Sequence, residues 1–455
     1  MKNTVINRIV ITVFLLFCLI PSLGMVVFGQ SRAGANEVLS KFPAVVDKSG
    51  SLNGNYLSEI SDWAGDRFAF RQELVTAWSG LNAALFKTSS EDKVIIGRDG
   101  WLYYSETLDD YRGMSLEDRK LEAIARNLSL MQEYVESNGT AFLFTIAPNK
   151  NSIYPEHMPN FVPNGRENAN SERLMPYIEK YGVNYADLFS AISHENETMY
   201  FMTDSHWHNK GAALAADVIL SGLGRDSSFF NSEFIHGEEH KGDLYEMLYP
   251  SGNRTESDFK YLPGFTFTTA KDPNGGNAIN IESSSEKGIG RLLCWRDSFG
   301  ISLYPYLAET FHDAVFSRSA TYDLVRLKAE ETDAVVIELV ERNLNYLLEN
   351  MPIYPAPIRN MPEIVARMPA IAVSAQQGKT AASNGMMLIQ AEIPADSADN
   401  TTNAFFVCGG PCYEAAILYI DGSGPVVSAW IPAADTGDIS VVYGNDGGYC
   451  ISDAA

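Results

Sequence analysis

Leu292-Leu293-Cys294-Trp295-Arg296-Asp297-Ser298-Phe299-Gly300 is the stretch on which the fold turns. Four apolar residues run into a polar turn, and a Phe-Gly pair follows where a helix would begin. Short apolar runs of this kind read as buried strands. Ala141 to Ala147, stopped by Pro148, and Ala334 to Val340 read the same way. Elsewhere the apolar spacing is helical. Leu121, Ile124, Leu128, Met131 and Tyr134 follow a start at Ser115, with Asp118 three residues on as a near capping box, and Asn138-Gly139 ends the run. Leu174 to Tyr181 predicts a short helix with Pro176 in its first turn, Val183 to Tyr185 a short strand, and Asn209 to Leu223 a further helix. Strands alternating with helices predict an α/β fold on a parallel sheet flanked by helices. A serine at the carboxyl end of a parallel strand sits where sheet enzymes present a nucleophile. The N–H groups of the following helix can then stabilise an oxyanion. The plainer reading of Asp297-Ser298 is a helix cap, since both residue types cap well.

A second segment carries complementary chemistry: Thr203-Asp204-Ser205-His206-Trp207-His208-Asn209-Lys210-Gly211. A serine nucleophile needs an imidazole base and a carboxylate that fixes its tautomer. Asp204 and His206, two apart in a loop, supply both if the turn folds the carboxylate onto Nδ1. The plainer reading is a satisfied loop histidine. Asp204, His206 and His208 at spacings of two also permit a metal site, but no HExxH or further ligand partner stands out. No metal and no cofactor is assigned. Trp207 reads as a packing or positioning residue.

Working outward, Val94 to Tyr104 predicts a hairpin around Asp99-Gly100. Tyr56 to Phe86 is helical in pattern, with Leu57, Ile60, Trp63 and Ala64 on one face, then Leu74, Trp78, Leu81 and Leu85. The stretch 224–290 is polar, rich in Gly, Asn and Ser, and without period. It reads as an insertion over the sheet edge that covers substrate. Pro352 to Pro369 reads as a linker. Beyond it, β-like runs at Met386 to Ile393, Ala404 to Cys408, Ala415 to Ile420, Val426 to Ile431 and Ile439 to Tyr443 predict a small all-β sandwich. The expected organisation is 1–30 anchor or signal, 31–90 tether and N-terminal helices, 91–351 catalytic domain, and 370–455 small β domain.

The 455 residues suit two or three domains. A formal net charge of -23 argues against nucleic acid, whose phosphates need clustered Lys and Arg. Lys2 and Arg8 precede an apolar run from Ile9 to Phe28, interrupted only at Thr12 and at Pro21 to Gly24. Roughly 20 apolar residues span a bilayer. The basic flank places the rest of the chain outside the cytoplasm. The expectation is a single-pass anchor in the cell membrane; a cleaved signal peptide competes with it. Of five cysteines, Cys408, Cys412 and Cys450 cluster late in the chain, where a bridge among them is compatible with an oxidising exterior, with the pairing open.

Taken together, the two polar segments resemble the SGNH-hydrolase-like branch that holds the alginate O-acetyltransferases and the DHHW proteins of Gram-positive bacteria. Asp204-Ser205-His206-Trp207 resembles their Asp-x-His-Trp signature, and Asp297-Ser298-Phe299-Gly300 their nucleophile turn. Asp66 to Arg71, Gly97 to Tyr104, Ala147-Pro148-Asn149-Lys150 and Glu338 to Leu344 are similar to further elements of that branch. The order Asp/His before Ser is also that of the branch. Two positions depart from it: Ser205 stands where a second His is expected, and Ala69 where a Pro is expected. The resemblance implies a Ser298–His206–Asp204 triad in an SGNH-like sheet. Arg296, Asn149, Lys150 and Trp207 become candidates for holding the oxyanion or the substrate. It further implies an O-acetyltransferase acting on an exported or cell-surface glycan, supplied with acetyl groups by an integral membrane acyltransferase of the MBOAT class. An acetyl esterase with the same triad and a non-catalytic glycan-binding scaffold are the alternatives.

Overall fold

The computed structural model describes residues 2–33, 38–47, 49–114, 116–271, 278–378, 383, 385–420 and 424–454. Seven strands form the central sheet: β1 (Ala141–Ala147), β2 (Tyr185–Ala186), β3 (Thr268–Lys271), β4 (Asn280–Ser284), β5 (Arg291–Trp295), β6 (Asp313–Ser317) and β7 (Ala334–Val340). Their order is β2-β1-β7-β5-β6-β4-β3. The first five are parallel, and β4 and β3 extend the sheet antiparallel beyond β6. The 224–290 stretch therefore adds strands to the sheet edge. It also builds a separate ribbon, Glu233–His240 paired with Glu256–Leu262.

β7 is buried at every position, as expected of a parallel strand covered on both faces. Alternate side chains divide the core. Leu293 and Trp295 join a cluster with Leu121, Ile124, Leu128 and Met131 of the helix Asp118–Ser137. Leu292 and Cys294 face the other way, onto the helices Asn209–Gly222 and Gly300–Thr310. The expected start at Ser115 lies outside the described residues. The helix preceding β1 begins at Asp118, with Glu117 at the cap position. Pro176 is not in a first turn: the helix runs Asn170–Lys180, so it lies inside. The earlier start is fixed by Asn170, whose N–H donates to Asp110 Oδ1 at 2.7 Å and whose side-chain oxygen accepts from the Leu116 N–H at 2.7 Å.

The hairpin pairs Val94 with Tyr104 and Ile96 with Leu102. Asp99 and Gly100 both take the left-handed conformation, with φ of 57° and 84°, which a two-residue turn of this type requires. The helical stretch before it is two helices, Tyr56–Arg67 and Arg71–Phe86, broken by the left-handed Phe70. The apolar face of the second helix, with Trp78 and Leu85, is exposed. At the N-terminus, Lys2–Phe28 is one helix whose Phe28 ring lies 5.3 Å from that of Phe70. Among the described residues, no helix is long and apolar enough to cross a membrane.

The C-terminal region is all β: eight strands hydrogen-bond along one continuous path, and a ninth, Ile358–Arg359, pairs off it. Two, Ile358–Arg359 and Ile364–Arg367, precede residue 370 and pair with Cys412–Leu418 and Gly448–Asp453. The stretch expected as a linker thus already contributes strands. The core is shared, because Phe406, Ile417, Val441 and Tyr443 belong to the cluster that packs on the helix Asp118–Ser137. The buried Asn127 seals this junction. Its Oδ1 accepts from the Ile417 N–H at 3.1 Å and its Nδ2 donates to the Ile417 carbonyl at 2.9 Å. Asn127→Ala orphans both buried groups and is expected to lower stability by about 2–4 kcal/mol; a chemical denaturation midpoint measures it. Cys408 and Cys412 are free, as are Cys294 and Cys450, which corrects the expected bridge. Cys408 packs into the shared core while Cys412 joins a cluster with Phe405 and Val442. Burial pushes the Cys408 thiol up to about 11.

Candidate active site

β5 ends at Trp295, and Ser298 sits in the turn before the helix Gly300–Thr310. The turn is held from below by Asp297, whose carboxylate accepts from the Phe299 N–H at 2.9 Å, the Val340 N–H at 2.7 Å and Asn343 Nδ2 at 3.0 Å. The cap of this turn is therefore Asp297, which leaves the Ser298 hydroxyl for another partner. Gly300 is required by close approach: a Cβ there would stand 2.2 Å from Cδ of Arg296.

The partner is His206. Its Nε2 lies 2.8 Å from Ser298 Oγ, and its Nδ1 lies 2.7 Å from Asp204 Oδ1. Asp204 Oδ1 also accepts the His206 backbone N–H at 2.9 Å, the tight turn that an Asp-x-His spacing allows. Two segments 92 residues apart in sequence thus meet in a continuous hydrogen-bonded line. Asp204 is buried, His206 and Ser298 are partly exposed, and the line opens toward solvent at the serine. Burial alone would raise the Asp204 pKa, but hydrogen bonds from His206 and His240 hold it well below the carboxylate range. Burial also works against a charged His206, yet the bond to Asp204 and the nearby Asp243 raise its pKa above the ordinary histidine value.

The sign of that shift gives opposite predictions for stability and activity. A raised histidine pKa contributes stability that is fully present below the unfolded value and is lost as pH rises through the folded value. A general base must be neutral, so activity falls as pH drops through the same raised pKa. The acid limb of kcat/KM is expected above the ordinary histidine value of about 6.5, measured with an activated aryl acetate.

The other candidates from the sequence divide. Trp207 is fully buried, and its Nε1 donates to the Phe299 carbonyl at 3.1 Å, tying the two motifs together. Asn149 is buried at the end of β1, with its Oδ1 3.4 Å from Arg342 Nη1 and its Nδ2 without a partner among the described residues. Lys150 does not face substrate. Its buried ammonium donates to the carbonyls of Phe201 at 3.1 Å, Met202 at 3.0 Å and Asp204, behind the loop that carries Asp204 and His206. Burial pushes its pKa down to about 8. Arg296 likewise turns inward, to the carbonyls of Asp297 and Ala278. Both are corrected from substrate-facing candidates to supports, because the carbonyls left unpaired by these irregular loops need buried donors. His208 is committed as well. Its Nδ1 accepts from the Gly211 N–H, capping the helix, and Nε2 lies against the Thr198 carbonyl. A metal set of Asp204, His206 and His208 is thereby precluded. Asp204, His206 and Asp243 do bring ligand-type atoms within 4.8 Å of one another, but Asp204 and Asp243 already accept from His206, His240, Ser205 and backbone N–H groups. The donor set suits hydrogen bonding, and no metal is assigned.

Four residues escaped the sequence reading. His240, Asp243 and Glu256 come from the aperiodic 233–262 stretch. Glu256 accepts from the N–H groups of Met202 and Thr203 at 2.8 Å each. Asp243 accepts from the Ser205 N–H at 2.8 Å and the Ser205 hydroxyl at 2.6 Å. Arg342 places its guanidinium 5.7 Å from the centre of the Phe299 ring. No period marks His240, Asp243 or Glu256, and Arg342 follows a buried strand with nothing in its surroundings to single it out.

A serine after a central parallel strand thus faces an Asp-x-His loop. Residues 94–278 match the family described as SGNH hydrolase-like domain, acetyltransferase AlgX; Asp204 and His206 fall within the matched span and Ser298 beyond it. Among particular relatives, the probable alginate O-acetylase AlgJ of Pseudomonas syringae pv. tomato is 24% identical over 208 residues, covering 43% of this chain and 51% of that protein. Its counterpart in Pseudomonas aeruginosa is 26% identical over 207 residues, with the same coverage. The chain spans about half the length of the curated relatives it matches. Similar solved structures include the O-acetyltransferase domain of Pseudomonas putida AlgJ, with a TM-score of 0.38 at 17% identity, covering 56% of this chain and 93% of that one. A DHHW family protein from Eubacterium siraeum aligns with a TM-score of 0.41 at 16% identity, covering 51% and 90%.

Proposed function

We propose that this chain is a serine O-acetyltransferase that modifies a polysaccharide hydroxyl. The observation that carries the reading is the hydrogen-bonded line Ser298–His206–Asp204. In the first half-reaction His206 Nε2 takes the Ser298 proton as Oγ attacks the carbonyl carbon of an acetyl donor. The tetrahedral intermediate collapses, the donor's leaving group departs with the proton from His206, and an acetyl ester remains on Ser298. In the second half a sugar hydroxyl loses its proton to His206, attacks that ester and leaves O-acetylated, returning the proton to Ser298. Asp204 holds His206 in the tautomer that presents Nε2 as base and stabilises the imidazolium. The Ser298 backbone N–H and the unpartnered Asn149 amide are the donors for the oxyanion.

The polysaccharide acceptor is inferred from the alginate O-acetylases that the chain resembles. The location is inferred from the N-terminus: Lys2 and Arg8 precede the apolar run Ile9 to Phe28, on which Ile9, Val10 and Phe14 are exposed. The basic residues on the amino side of this run favour a location of the body of the chain outside the cytoplasm. There acetyl-CoA is absent, and the donor is an integral membrane acyltransferase of the MBOAT class. A reporter fused after Ala455 is expected to be accessible from outside intact cells; a protected reporter would remove both the anchor and the donor arguments.

The triad alone does not distinguish transfer from hydrolysis, so the competing reading is an acetyl esterase. Purified protein with an activated aryl acetate and a polyuronate oligosaccharide separates them. Transfer predicts acetylated oligosaccharide in excess of free acetate at saturating acceptor. Free acetate at a rate independent of acceptor would identify an esterase.

A further inference from the structure

Asp204 has two carboxylate oxygens, and the triad uses one. The second, Oδ2, is met by His240, whose Nε2 lies 2.7 Å away, and by the backbone N–H of Asp243 at 2.9 Å. Two imidazoles therefore share one buried carboxylate, one on each oxygen. His240 arrives from the ribbon strand Glu233–His240, outside the sheet that carries the triad. Its ring is fixed on both sides of this contact. It stacks on Phe201, with ring centroids 4.3 Å apart and planes 24° apart. Its backbone pairs with Glu256, whose carboxylate in turn accepts the N–H groups of Met202 and Thr203 just ahead of Asp204.

We propose that His240 is a positioning residue for the acyl-transfer site: it clamps Asp204 Oδ2 so that Oδ1 faces His206, and it lets the ribbon set the basicity of that base. The proposal rests on reading Ser298, His206 and Asp204 as the triad. A carboxylate held on one oxygen only can rotate about its Cβ–Cγ bond and exchange Oδ1 for Oδ2. Two donors on Oδ2 remove that freedom. Outer partners of this kind typically contribute 10- to 100-fold to activity where they orient a reacting group. The clamp also divides the Asp204 charge. The groups facing His240 are Asp204, Asp243 and Asp258, with Glu256 across the strand pair and Phe201 beneath the ring. Its pKa is raised, first by the bond to Asp204. Whichever imidazole holds a proton draws on the same carboxylate at the expense of the other. Without His240, the whole Asp204 charge serves His206.

The test uses the full chain and an activated aryl acetate, comparing His240→Ala with His240→Gln. The alanine variant is expected to lower kcat/KM by roughly 10- to 100-fold and to move the acid limb of its pH profile upward. Glutamine places an amide N–H near the position of Nε2, so His240→Gln should recover most of the rate while keeping the upward-moved limb, because it donates without titrating. His240 is partly exposed, and thermal unfolding of both variants reports whether they remain folded. An alanine variant that is folded, equally active and unmoved in its acid limb would overturn the proposal. So would a glutamine variant as impaired as alanine. Ser298→Ala run alongside separates the two readings: if it keeps activity, the triad itself is wrong; if it alone loses activity, only the clamp is.

Discussion

Ser298→Ala is expected to remove acyl transfer, with kcat/KM falling by roughly 10⁴-fold or more and the fold unchanged. The hydroxyl makes its hydrogen bond to His206 Nε2, while the turn is held by Asp297; the substitution takes away the nucleophile without taking away a cap. His206→Ala should fall about as far, and the double variant little further, because the members of a triad act as a unit. Asp204→Asn should lose less than the serine variant but still on the order of 10³- to 10⁴-fold, since an amide at this position favours the wrong imidazole tautomer. Rates with an activated aryl acetate, beside circular dichroism spectra of each variant, measure the series. A Ser298→Ala protein that retains more than a few per cent of activity would transfer the chemistry to another residue.

The second large effect is expected at a residue that touches no substrate. Lys150 lies buried near the rings of Trp101 and Tyr103, 5.6 and 5.2 Å from its ammonium, and holds the loop that carries Asp204 and His206 through the carbonyls of Phe201, Met202 and Asp204. Lys150→Met preserves the volume and removes all three donors. The Met202 carbonyl keeps the Leu102 N–H at 2.9 Å, while those of Phe201 and Asp204 lose this partner in a dry site, each at about 1 kcal/mol or more, so a stability loss of about 2 kcal/mol is expected. The loop that carries Asp204 and His206 loses its support from behind, and misplacement of a reacting group by about 1 Å lowers rate by roughly 10²-fold. Denaturant titration reads the first effect and kcat the second. A variant with wild-type kcat would mean that Glu256 and Asp243 suffice to hold the loop.

The parts of this molecule that were legible from sequence are those governed by local pattern. β1, β5 and β7 announce themselves as apolar runs because parallel strands are buried on both faces. The hairpin follows from Asp99-Gly100, and His206 follows from Asp204 because a two-residue spacing closes a turn by itself. The pairing of His206 with Ser298 was reachable only through the resemblance, since nothing in either segment dictates that they meet. What stayed hidden depends on long-range partners. Lys150 and Arg296 look like anion-binding groups in sequence, and only the fold shows their charges spent on loop carbonyls. His240, Asp243 and Glu256 sit in a stretch whose alternation is broken by a register shift between His236 and Glu239, so neither strand period nor helix period marked it. Pro176 misled because the helix start is set by Asp110, 60 positions earlier in the chain. The Pro-rich stretch after Met351 read as a linker, yet its residues complete the edge of the C-terminal sheet.

The central claim is that Ser298 carries the acetyl group, and one measurement addresses it directly. Wild-type protein is mixed with an activated aryl acetate, quenched in acid within the first turnovers, digested and mapped by mass spectrometry. The account predicts a single acetyl group on the peptide that contains Ser298, present before acceptor is added, chased by acceptor, and absent from His206→Ala. Acetylation on another residue, or turnover with no acetylated peptide at any time, would contradict it.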